Sequence, residues 1–131
     1  MSAEQPQVSG VLVACVDDDY RVRESVENLL DSAGLACESF ESAEAFLESG
    51  VLDGVSCLLV DVRMGGLSGL ELQRAVRVLR PKLPVIFISA YQDAAVRALA
   101  LADGATAFLD KPFDVRMLLK ELRDALASVP P

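Results

Sequence analysis

VSCLLVD at residues 55–61 is a run of apolar and small side chains that ends in a carboxylate. A surface strand alternates apolar and polar residues, whereas a strand covered on both faces of a parallel sheet is apolar almost throughout. The run therefore reads as a central strand, with Asp61 where the chain emerges. VLVACV (11–16) and PVIFIS (84–89) have the same character. LACESF (35–40) is more mixed, as an edge strand would be, and ATAFL (105–109) completes the set.

Helical patterns separate these runs. Val22, Val26, Leu29, Leu30 and Ala33 recur at helical spacing, and Gly34 supplies a stop. Ser42 is placed to cap a short helix carrying Ala45, Phe46 and Leu47. Ser68 and Glu71 form a capping box ahead of an apolar face of Leu72, Ala75, Val76 and Leu79, with Pro81 and Pro84 ending that helix. An alanine-rich helix around Val96, Leu99 and Ala100 stops at Gly104. Asp114 caps a last one with a stripe of Val115, Leu118, Leu119, Leu122 and Leu126. Strict β-α alternation predicts an α/β fold, a doubly wound parallel sheet of five strands with five helices.

At 131 residues the chain matches one domain of about 150. Residues 1–9 are polar and expected to be loose, 10–128 form the domain, and 129–131 read as a tail or the start of a linker. Apolar residues make up 52% and charged residues 24%, a globular balance. Lys and Arg total 12 against 20 Asp and Glu, so the net charge is −8. That argues against direct nucleic-acid binding and suits a protein that holds a cation or meets basic partners. The absence of histidine removes His-ligated zinc, a Ser-His-Asp triad and a histidine phosphocarrier. Cys15, Cys37 and Cys57 are odd in number and lack CxxC spacing, which reads as small buried residues of a reducing compartment. VLVACV is far shorter than the ~18 residues of a membrane span, and no secretion signal is visible. A cytoplasmic protein with no membrane partner is expected.

In open α/β sheets, ligands meet the carboxyl ends of the strands. The residues there are Asp17, Asp18 and Asp19 after the first run, Asp61 after the third, Ser89 and Ala90 after the fourth, and Lys111-Pro112 after the fifth. Carboxylates crowded on adjacent strand ends ionise together only at a cost that a cation removes. Mg²⁺ is the hard, oxygen-binding ion that suits them. A carboxylate nucleophile, a divalent cation, an ammonium and a hydroxyl are the parts that move a phosphoryl group onto aspartate. Taken singly, each is explained as well by a cap, a turn or a loop. Their joint occurrence, each at the end of its own strand, carries the reading.

VDDD (16–19), LLVDVRMGGLSGLEL (58–72), VIFISAY (85–91) and FLDKPFD (108–114), in that order, resemble the receiver domain of bacterial two-component response regulators. The similarity runs from about Gly10 to Leu126 and is greatest to receivers linked to LuxR-type DNA-binding domains. It implies a flavodoxin-like sheet, order 2-1-3-4-5, with Asp61 as phosphoacceptor. Asp18 would bind Mg²⁺ directly, Asp17 would support it, and Arg63 would offer its backbone carbonyl. Lys111 and Ser89 would complete the catalytic set, and Ser89 with Phe108 would form the conformational switch, Phe108 turning inward on phosphorylation. The Lys111–Pro112 peptide would be cis. Asp19 lies outside the acidic pair and is expected to be solvated or to cap the first helix. Arg63 and Tyr91, two residues beyond acceptor and switch hydroxyl, are bulky and would shield the phosphoryl group, giving slow self-dephosphorylation. One departure is Met64-Gly65, where the family usually has Met-Pro.

The implied partners are a sensor histidine kinase and either a downstream protein or a C-terminal output domain beyond these residues. The face from about 93 to 128, with Arg97, Arg116 and Lys120 beside Asp103, Asp110 and Asp114, is a candidate surface for phosphorylation-dependent homodimers. The chain would not be an enzyme beyond catalysing its own phosphotransfer and slow dephosphorylation. Two alternatives stand beside this. A haloacid-dehalogenase-like phosphohydrolase would use the D-x-D of Asp17 and Asp19, but Arg21 stands where that pattern wants Thr or Val. A pseudo-receiver, acting without phosphorylation, would show a degraded acidic pocket.

Overall fold

In the computed structural model, which describes residues 10–64, 66, 68–90 and 94–128, five strands form one parallel sheet. They are β1 (Leu12–Val16), β2 (Ala36–Phe40), β3 (Cys57–Asp61), β4 (Val85–Ser89) and β5 (Ala107–Asp110), ordered β2-β1-β3-β4-β5. β3 and β4 are buried throughout and β2 is the partly exposed edge, as their compositions predict. The helices are α1 (Tyr20–Ser32), α2 (Ala43–Ser49), α3 (Gly69–Leu79), α4 (Ala94–Ala102) and α5 (Val115–Ser128). A single 3₁₀ turn at Val51–Asp53, which no sequence pattern marks, links α2 to β3.

Alternation along the strands divides the core into two layers. Ala14, Val16, Leu58, Val60, Phe87 and Phe108 face α2, α3 and α4, where Phe46, Leu72, Val76 and Ala100 meet them. Val13, Cys15, Leu59, Ile86, Ile88 and Leu109 face the side covered by Val26 and Leu30 of α1 and by Leu118, Leu122 and Ala125 of α5. Cys15 and Cys57 lie in this second layer and Cys37 at its margin; all three thiols are free.

The helix starts follow their caps. The Asp19 side chain accepts from the Arg21 amide, Ser42 from Ala45, and Ser68 exchanges both bonds of a capping box with Glu71. The predicted apolar faces need correction at three places. Leu79, Leu99 and Val115 are exposed. On α3 the buried stripe is Gly69, Leu72, Gln73 and Val76. It continues at Arg80, whose guanidinium reaches the carbonyls of Leu52 (2.7 Å) and Val55 (3.0 Å), so Leu79 points away. The amide of Gln73 occupies a core position that apolar periodicity would not assign to it.

Candidate functional site

The parallel register brings every strand's carboxyl end to one rim. Asp17, just after β1, is fully buried, and Asp61, the last residue of β3, is nearly so; Asp18 stays exposed. Carboxylate oxygens of Asp17, Asp18 and Asp61 lie within 4.8 Å of one another. Lys111, just after β5, extends its ammonium to Asp17 Oδ2 at 2.8 Å and to Asp61 Oδ2 at 3.6 Å. The Lys111 ammonium thus faces two of the three clustered carboxylates.

Backbone contacts fix these groups. The Lys111 amide donates to the Ser89 carbonyl (2.7 Å), and the Lys111–Pro112 peptide is cis. Asp17 Oδ1 accepts from the Asp19 amide (2.8 Å), and the Arg23 guanidinium donates to the Asp17 carbonyl (2.7 Å). Asp61 Oδ1 accepts from the Arg63 amide (3.3 Å). A side chain at Gly69 would collide with the Asp61 carbonyl, so glycine is what lets α3 begin against the acceptor strand. Gly69 and Arg23 carry no chemistry in the sequence pattern; only the close approach and the reach to a carbonyl show their use.

Burial and the neighbouring Asp17 charge push the Asp61 carboxyl up to about 6, against the pull of Lys111. Burial works against the Lys111 charge, but its hydrogen bond to Asp17 and the charges of Asp17 and Asp61 outweigh it and raise the ammonium's pKa. Both effects express the same crowding of negative charge.

Ser89 ends β4 and is buried; Phe108 lies on β5. The Phe108 ring is 7% exposed, packs on Phe87 with centroids 6.1 Å apart, and is covered by the Arg97 guanidinium at 5.6 Å. In this conformation the ring thus lies inward, between Phe87 and the Arg97 guanidinium. Asp19 turns its carboxylate to Arg21 and joins α1 as its cap, leaving the D-x-D of a phosphohydrolase incomplete. Arg63 is at the exposed rim, while Tyr91 and Gly65 lie outside the described residues. Beside the rim, an open groove of about 610 Å³ is lined by Arg21, Val22, Ser25, Lys111, Pro112 and Phe113.

A 2-1-3-4-5 parallel sheet with an acidic cluster and a lysine at the ends of β1, β3 and β5 defines a receiver-type signalling domain rather than a hydrolase. Residues 13–123 match the response regulator receiver domain, and the chain belongs to that family. It is 44% identical over 115 residues to the transcriptional regulatory protein TdiR of Thauera aromatica, covering 88% of this chain and 51% of TdiR. It is 40% identical to the transcriptional regulatory protein FixJ of Azorhizobium caulinodans, covering 87% and 54%. The chain thus spans about half the length of the curated relatives it matches. The crystal structure of FixJ-N superposes with a TM-score of 0.82 at 32% identity, covering 92% of this chain and 97% of that one. No helix among the described residues is long and apolar enough to cross a membrane.

Proposed function

We propose that this domain accepts a phosphoryl group on Asp61 from the phosphohistidine of a sensor kinase. The observation that carries the reading is the convergence of Asp17, Asp18 and Asp61 with the Lys111 ammonium beside Asp17 and Asp61. An Asp61 carboxylate oxygen forms the new bond to phosphorus as the P–N bond of the donor breaks, and the donor imidazole keeps the electron pair. Lys111 offers fixed positive charge to the phosphoryl oxygens. Ser89 offers them a hydroxyl donor. Asp17, tied to Lys111 and to the Asp19 amide, holds the ammonium in place.

The donor set is all hard oxygen and carries more negative charge than Lys111 balances, which suits Mg²⁺. Asp17, Asp18, Asp61 and the Arg63 carbonyl would hold it, and it would supply neutralisation of charge on the phosphoryl oxygens. The open groove between the start of α1 and the Lys111–Pro112 bend, with Lys111 in its wall, is the proposed approach for the donor. The signal then passes through Ser89, Phe108 and α4. Because the relatives named as transcriptional regulators are about twice as long, this domain is read as the input half of such a regulator in the cytoplasm. Its face from about 93 to 128 would support a homodimer when phosphorylated.

Intact-mass spectrometry after incubation with Mg²⁺ and a small acyl phosphate tests the reading. Wild type gains one phosphoryl group and Asp61→Asn gains none. An unmodified wild type, with no response to beryllofluoride, would leave a pseudo-receiver; a labelled Asp61→Asn would move the acceptor to another carboxylate.

A further inference from the structure

Gln73 of α3 is fully buried, and no part of the proposed chemistry uses it. Its Nε2 donates to the Ala100 carbonyl of α4 at 3.4 Å, while its Oε1 meets no partner among the described residues. A half-satisfied buried amide is a poorer core group than an apolar side chain of similar volume. Its use must therefore lie in what it holds. What it holds is the last turn of α4: Ala100 is the residue that α4 buries, and its carbonyl also accepts from the Ala105 amide.

Two further α3 side chains act at the same place. Arg74 Nε lies 3.2 Å from Asp103 Oδ2. The Arg77 guanidinium fills the space that a Cβ at Gly104 would occupy, at a residue whose φ of +99° already favours glycine. The other end of α4 is held differently. Ala94, Ala95, Arg97 and Ala98 are exposed, and contact with the core runs through half-buried Val96 and through Arg97 over Phe108.

We propose that Gln73, with Arg74 and Arg77, is a positioning residue that pins the C-terminal turn of α4 to α3, so that α4 responds to the Phe108 end by pivoting about Ala100. This deepens the phosphoacceptor reading and depends on it only for the response, not for the pin. The pin makes α4 a lever with its fulcrum on α3 and its other end beside the switch aromatic.

Amide hydrogen exchange tests it on the whole chain, first without any phosphoryl analogue. In Gln73→Met, the amides of Asp103, Gly104 and Ala105 are expected to exchange about three- to tenfold faster, the loss of one hydrogen bond. Those of Ile86–Ile88 stay unchanged and the melting temperature holds or rises. Arg77→Ala, an exposed site with no folding risk, gives the same local pattern at smaller size. Unchanged exchange at 103–105 in both variants, or faster exchange spread over the whole domain, would overturn the pin. With Mg²⁺ and beryllofluoride, wild type is expected to change at 94–98 and not at 103–105, and Gln73→Met at both. A wild type that changes equally at both ends overturns the pivot. A wild type that changes nowhere counts against the phosphoacceptor reading, while the result without analogue still decides the pin.

Discussion

The helices on the two sides of the sheet are not all held alike. On one side α1 and α5 cover the strands with Val26, Leu30, Leu118, Leu122 and Ala125, an apolar contact along both helices. On the other, α4 buries Ala100 alone and leaves Leu99 and Leu101 exposed, while polar reach from α3 holds its far end. Apolar packing is strong and non-directional; a few hydrogen bonds and a cation over a ring are weak but geometrically specific. The first holds α1 and α5, and α2 and α3 as well, whereas α4 relies more on the second. The acidic rim lies between the two sides, with Asp61 on the strand they share.

The largest effect should fall on α5. Leu122→Ala is expected to cost about 2–5 kcal/mol in denaturant unfolding, whereas Leu99→Ala on α4 stays within about 0.5 kcal/mol. Equal costs would erase the contrast. Next comes the rim. The Asp61 pKa is raised from 3.8 to about 6 on folding, so the folded state holds this proton more tightly than the unfolded state. The stability this gives is present in full below pH 4 and is lost as pH rises through about 6. Asp61→Asn should therefore stabilise the metal-free protein at pH 7.5, on the order of 2 kcal/mol, and gain little at pH 4. A pH-independent difference in melting would remove the electrostatic cause. Mg²⁺ at 100 times its Kd would add about 2.7 kcal/mol to wild type and less to the variant.

Smaller still is the Arg97 contact. Arg97→Ala is expected to cost about 0.5–1 kcal/mol, the range of an exposed cation over an aromatic ring. A shift of the Phe108 ring resonances in NMR would accompany it. If stability and resonances both stay put, Arg97 belongs to the surface and not to the moving side. Last, Arg63→Ala and Tyr91→Ala should each speed loss of the phosphoryl group without changing stability. An unchanged decay in both variants would mean that neither residue shields it.

The strands and the acidic rim were legible because both follow from local rules, whereas the strand order came with the family resemblance. VSCLLV and PVIFIS are apolar enough to admit one structural reading, and Asp17, Asp61 and Lys111 each sit directly after such a run. Helix starts were legible because Asp19, Ser42 and Ser68 bond to amides two or three residues away. What escaped depends on distant packing. Gln73 looks like a surface residue until Ala100 is found against it, 27 positions away. Leu79 looks like core until Arg80 takes the inward position to reach Leu52 and Val55.

The three native thiols have a practical side. Burial pushes Cys37 and Cys57 up to about 12, and Cys15 higher still. Thiol reagents attack the thiolate, and a surface cysteine ionises near 8.5. A cysteine placed at exposed position 98 of α4 by Ala98→Cys would then hold roughly a thousandfold more thiolate at neutral pH than its native counterparts. A fluorophore or spin label can be attached there with all three native cysteines kept, and α4 can be watched in an otherwise unaltered chain.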